Sequence, residues 1–221
     1  MEIRNTYMAR RIQNIPMVTI TIVSGLILIF LLLNRSIHVA TYSADLLGNE
    51  ADLVMRGSVF RIFTALWLEN FDIMALVTNV LLLLAVGWAI EVTIGHLRFL
   101  VIYIVSGIIG NLLTDGVLAL IWKIGRNWRW IDASSYLAVG LGASTAIAGV
   151  SVAGVTVFRE LGKLRKNRLR QAIIILAVVT LGGSIFSPVI RLTMPLDGSD
   201  LAHIMGGISG FILTRFHLGG D

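Results

Sequence analysis

Cysteine is absent from the 221 residues, so the chain has no disulfide framework, no thiolate metal site and no thiol nucleophile. Charge is nearly as scarce: 14% of the residues are charged and 56% are hydrophobic, with a mean hydropathy of +0.85. A soluble domain carries about 25% charged residues. This composition therefore excludes one and points to a chain that crosses a membrane several times. No HExxH, P-loop or dinucleotide fingerprint occurs, so no metal or cofactor is expected. Internal repeats of the kind that mark many transporters are also missing.

The charge that is present lies in short blocks. The net charge is +5 and the isoelectric point is near 10.1, but the basic residues fall between apolar runs. There they set membrane topology, and no nucleic-acid partner is expected.

Residues 1–15 hold Arg4, Arg10 and Arg11 and precede an apolar run at 16–33. That run ends in Asn34-Arg35 without a small-residue cleavage site, so it reads as an uncleaved first span. The stretch 34–70 mixes Asp45, Glu50, Asp52, Arg56 and Arg61 with Leu46, Leu47, Phe60 and Trp67. Too polar to span and too apolar for a linker, it reads as an amphipathic first loop at the bilayer surface. Four long runs follow, at 73–90, 99–122, 134–158 and 172–190. Each is long enough, at about 1.5 Å per residue, to cross about 30 Å of hydrocarbon. A shorter run at 201–213 carries His203 and is closed by Arg215. The expected fold is an all-α bundle of six transmembrane helices over residues 16–217, with a tail at 218–221.

Arg159, Lys163, Arg165, Lys166, Arg168 and Arg170, against the single acid Glu160, place the loop after the fourth run in the cytoplasm with the basic N-terminus. Six spans return the C-terminus to the same side. Lys123, Arg126 and Arg129 on the outside are a smaller excess, partly offset by Asp132.

In this topology the fourth and sixth spans run in the same direction. Ser144 lies 15 residues before Arg159 and His203 lies 12 before Arg215, which sets them roughly 22 Å and 18 Å above the cytoplasmic boundary. That level is about 10 Å beneath the outer face, sheltered yet within reach of water. Gly206 and Gly210 form a small-xxx-small ridge below His203, and Gly142, Ala146 and Gly149 offer small surfaces on the fourth span, so the two backbones can approach closely. Read singly, the glycines are packing residues, the serine a back-bonded hydroxyl and the histidine a satisfied polar group. Read as a pair, Ser144 is a nucleophile and His203 its general base, kept neutral by the positive end of its helix dipole. The backbone N–H of Ser144 and the amide of Asn79, in the second span, are candidate donors for the oxyanion that such chemistry develops. Asn79 has the plainer alternative of an interhelical hydrogen bond. His38, His96 and His217 lie in loops or ends and read as surface residues.

From about Gly57 to Arg215 these residues resemble the rhomboid family of intramembrane serine proteases. Phe60-Arg61 followed by Phe63-Thr64 is similar to the family's first-loop Trp-Arg element, and Asn79 to its second-helix asparagine. Glu91 and Gly95 match the residues that close that helix. Gly142-Ala143-Ser144 matches the nucleophile motif, and Ala202-His203 with Gly206 and Gly210 the sixth-helix motif. The resemblance implies a bundle with a water-filled cavity open outward, a Ser144–His203 dyad supported by Asn79 and Gly142, and cleavage of single-pass membrane proteins near the outer end of their helix. It also implies that Arg61 lies partly in the outer leaflet and that Glu91 ties helices together near the cytoplasmic side. The expected setting is the lipid bilayer of a prokaryotic plasma membrane.

Three positions depart from the family pattern: Thr145 where glycine often follows the serine, Ala75 where a histidine commonly helps hold the oxyanion, and Ala148 where an aromatic ring usually packs on the histidine. They keep a second reading open, a catalytically inactive rhomboid-like protein that binds transmembrane helices. A third reading, a small transporter or channel, uses Asn111, Asp115 and Glu91 as a polar path. Asp115, near the outer end of the third run, reads more simply as a solvated acid.

Overall fold

The computed structural model describes residues 15–69, 73–124, 131–160 and 195–218. Most of the expected N-terminal segment, Arg126 and Arg129, the basic block from 161 onward, the fifth apolar run at 172–190 and the tail at 219–221 lie outside the described residues. Helices α1 (Met17–Leu33), α2 (Ile37–Leu47), α3 (Ala51–Met55) and α4 (Arg61–Thr64) come first. They are followed by α5 (Ile73–Ile94), α6 (His96–Ile124), α7 (Ser144–Glu160) and α8 (Gly198–Leu218). Among the described residues there is no strand, only isolated bridges joining Asn49 to Gly140 and Ile131 to Leu196.

Helices α5 and α6, with 22 and 29 residues and mean hydropathies of 2.4 and 1.9, are long and apolar enough to cross a membrane. Leu31, Leu81 and Leu120 turn more than half of their surface outward, as suits helices with apolar surroundings. The inward faces meet in a core that includes Leu26, Leu66, Leu83, Ile90, Phe99, Tyr103 and Val150.

The fourth run differs from its expectation. Instead of a helix from 134, residues Ala133–Leu137 form a 3-10 turn and α7 begins only at Ser144. The interruption is made by Gly140, whose backbone pairs with Asn49, and by Gly142 at φ 123°, a conformation closed to residues with a Cβ.

Glu91 joins three elements. Fully buried on α5, it accepts from the backbone N–H of Val18 at 2.8 Å and of Thr19 at 2.7 Å, and from the Thr19 hydroxyl at 2.6 Å. These donors belong to the first turn of α1, where no intrahelical acceptor exists and a negative charge is favoured by the helix dipole. His96 at the start of α6 contacts the same carboxylate. It is thus a half-buried partner of Glu91, unlike the surface residue expected, because Gly95 at φ 94° turns the chain sharply between α5 and α6.

Arg61 organises the first loop in a comparable way. Its guanidinium donates to the carbonyls of Gly48 at 2.8 Å and Asp45 at 2.7 Å, and Thr64 donates to the carbonyl of Leu47 at 2.6 Å. The last carbonyls of α2 lack intrahelical donors, so a buried cation satisfies them and complements the negative end of the dipole. Asn111 of α6 donates to the Ile62 carbonyl at 3.3 Å and docks this loop on the bundle.

Helices α6, α7 and α8 meet through small residues. Gly206 lies against the carbonyl oxygen of Thr145, and Gly210, one turn on, against that of Gly149. A Cβ built on Gly110 of α6 would stand 2.8 Å from the Cα of Gly206 and 2.6 Å from the Thr145 methyl. Only hydrogen fits between these backbones. A Gly206→Leu substitution is therefore expected to lower stability by at least the 1–3 kcal/mol (approximately) typical of overpacking, since the obstacle is backbone. Gly116→Ala, with nothing within 4 Å of the added methyl, should be neutral or stabilising. Thermal unfolding in detergent compares the two.

Candidate active site

The segment before Ser144 is held from three sides by the first loop. Asn49 and Gly140 exchange backbone hydrogen bonds of 2.9 and 2.6 Å, the N–H of Gly142 donates to the Ala65 carbonyl at 3.2 Å, and that of Ala143 donates to Glu69 Oε1 at 3.3 Å. The positive φ of Gly142 then turns the chain into α7, so Ser144 is the first residue of that helix. Its surroundings include the unpaired N–H groups and the positive dipole end of a helix start.

The packing of α7 on α8 sets the relative height of the two helices. Thr145 meets Gly206 and Gly149 meets Gly210; both sequences advance by four residues between contacts, so the helices run parallel. In this register Ser144 pairs in height with a residue two positions beyond His203, an axial offset of about 3 Å. Ser144 and His203 thus occupy the same end of a tightly packed parallel pair.

Ser144 also opens into a cavity of about 270 Å³ that is lined by Asn49, Asn111, Thr114, Asp115, Asp197, Ser199 and Ala202 among others. At about 30 Å³ per molecule this is room for several waters. Asp115 does not stand as the solvated acid that its position in the run implied. It is buried, accepts from Asn49 Nδ2 at 2.8 Å, and its Oδ2, like the Oδ1 of Asn49, is an acceptor with no hydrogen-bond partner. The α2 to α3 connection at Asn49, with α3 packed on α6, removes it from the surface.

Asn79 is buried on α5, and its amide donates to Glu69 Oε2 at 2.8 Å. Glu69 lies in the first loop, ahead of α5, and is buried between this amide and the N–H of Ala143. Burial pushes its carboxyl up to about 7, against the pull of the hydrogen bonds from Asn79 and Ala143. No sequence motif marks Glu69. The available signal was an acid beside Leu68 at the edge of an apolar run. Ala75, in the same helix as Asn79, brings no polar atom, and Ala148 is buried in α7. Thr145 is also buried, with its methyl towards Gly110 and Gly206.

Comparison with known proteins finds a match to the Rhomboid domain family model over residues 56–219. The rhomboid protease AarA of Providencia stuartii is 36% identical over 77 residues, which is 35% of this chain and 27% of that protein. The chain therefore spans about a quarter of the length of this curated relative in the matched region.

The backbone of Gly142 disfavours a side chain. An added Cβ would adopt a strained φ and stand 3.3 Å from Ser144 Oγ, so Gly142→Ala should cost about 1–3 kcal/mol. The same thermal unfolding assay reads it as a lowered midpoint.

Proposed function

The chain belongs to the rhomboid family, and from that membership we propose that it is an intramembrane serine endopeptidase with Ser144 as nucleophile and His203 as general base. The observation that carries the reading is the parallel register of α7 and α8, which brings both residues to one end of the pair, with Ser144 opening to a polar cavity. The relative named a rhomboid protease supports it.

In the reaction His203 takes the hydroxyl proton as Ser144 Oγ bonds to the substrate's scissile carbonyl carbon. The oxygen becomes an oxyanion, stabilised by the N–H of Ser144 and the amide of Asn79. Gly142 supports this site by shaping the turn. Collapse breaks the C–N bond, and His203 returns the proton to the leaving amine. Water from the cavity then attacks the acyl-enzyme, with His203 again as base, and releases the carboxylic acid. The dyad needs no third acid where packing holds the imidazole.

The substrates are single-pass membrane proteins, cut near the outer end of their helix. The protein is a multi-pass component of a prokaryotic plasma membrane, with six spans and both termini cytoplasmic. The family and the apolar helices point to a membrane protein; the six-span arrangement rests on the apolar runs and the basic loops. A second reading, a rhomboid-like protein that binds transmembrane helices without cutting, draws on one observation: the Asn79 amide is engaged by a carboxyl group.

Ser144→Ala is expected to reduce cleavage of a model single-pass substrate by roughly four to six orders of magnitude. A serine-reactive fluorophosphonate should label the wild-type protein and leave this variant unlabelled. Undiminished cleavage by Ser144→Ala would sink the assignment of Ser144 as nucleophile, and an unlabelled, inactive wild type would favour the binding reading.

A further inference from the structure

The carboxyl of Glu69 has no role in the chemistry set out above, yet it touches two of that chemistry's parts. Its Oε2 takes a hydrogen from the Asn79 amide at 2.8 Å, and its Oε1 takes the N–H of Ala143, the residue before the nucleophile, at 3.3 Å. A Cβ built on Gly142 would lie 3.9 Å from Glu69 Oε2 and 3.3 Å from Ser144 Oγ, so the two side chains flank one glycine. We infer that Glu69 is the positioning residue of the oxyanion site, fixing the Asn79 amide against the turn that presents Ser144. This inference rests on the protease reading.

A side-chain amide has two N–H hydrogens. Glu69 engages the amide nitrogen, fixing the direction in which that end of Asn79 faces and leaving a second hydrogen for the reacting oxygen. Without an acceptor there, the amide can rotate and present its own oxygen, which repels an oxyanion. Ala75, one turn before Asn79, offers no polar atom to replace that acceptor.

Electrostatics then selects the protonation state. A carboxylate beside a developing oxyanion raises the barrier, because like charges repel strongly where water is excluded. The neutral acid still accepts the Asn79 hydrogen through its carbonyl oxygen and adds no charge. Burial favours this form, holding the carboxyl near 7. No ion pair among the described residues involves Glu69. Around it, α1 contributes Phe30 and its C-cap contributes Asn34, α2 contributes Ala40 and Ser43, and α5 contributes Asn79. From α6, Tyr103 lies close enough to sense a charge on Glu69, and its hydroxyl has no hydrogen-bond partner. These neighbours supply no cation to stabilise the ionised form. The working form is therefore present below about pH 7 and is lost as the pH rises through that value.

The test uses the full-length protein in detergent, a single-pass model substrate and a pH series. Wild-type kcat should fall as the pH rises through about 7. Glu69→Gln, neutral at every pH and still an acceptor for Asn79, should keep most of the activity at pH 6 and lose that fall. Glu69→Ala should lower kcat on the order of 10- to 100-fold, as expected for a misplaced catalytic group, while KM stays within about threefold. Wild-type kinetics in Glu69→Ala, or an unaltered descending limb in Glu69→Gln, overturns the proposal. A double-mutant cycle of Glu69→Ala and Asn79→Ala, read by thermal unfolding, needs no turnover: non-additive shifts support the tie, and additive shifts overturn it. Loss of the protease reading shows separately, as failure of the wild type to label at Ser144.

Discussion

The contact on which most of the arrangement depends is the meeting of Gly206 with the carbonyl of Thr145. A hydrogen on one Cα lets two backbones close to a distance that any side chain forbids. In an apolar solvent, helices gain little from burying apolar surface against each other, so close packing of backbones is a main source of association. Here it also has a chemical consequence. The small residues fix the register of α7 and α8, and the register decides that Ser144 and His203 lie at the same end of the pair.

Buried polar groups supply the second layer of order. Each described one that the fold relies on faces a helix end or another loop. Glu91 occupies the start of α1, Arg61 the end of α2, and Asn49 with Asp115 the junction of the first loop and α6. Helix termini carry unsatisfied backbone groups, and a membrane interior leaves those groups no water. Ionic side chains in these places therefore stabilise the fold while specifying which ends come together. The first loop, held in this way, reaches the turn before Ser144 at Asn49, Ala65 and Glu69. A surface loop thus shapes the site, which its amphipathic composition alone did not reveal.

Several residues were legible before any coordinates. The apolar runs announced α1, α5 and α6, and the small-xxx-small spacing on α8 marked the side that packs. Asn79 and Ser144 stood out because polar groups in apolar runs demand an explanation. Less was visible where long-range pairing overrode local pattern. The run from 134 is apolar enough for a helix, but pairing of Gly140 with Asn49 holds its first part in a turn until Ser144. Asp115 looked like a solvated end, and a loop some 66 positions earlier in the chain buries it. Glu69 looked like a boundary acid and lies instead between Asn79 and Ala143.

By composition and order alone, this chain was committed to apolar helices, to short basic blocks between them and to the motifs that place it in the rhomboid family. Those properties follow from local physics: transfer free energy of side chains, helix length and charge beside apolar runs. Which polar atoms meet was decided only by tertiary structure. Hydrogen bonds between Glu69 and Asn79, or between Glu91 and Thr19, join residues far apart in sequence or on separate elements, and their partners depend on crossing geometry and register that no local pattern encodes.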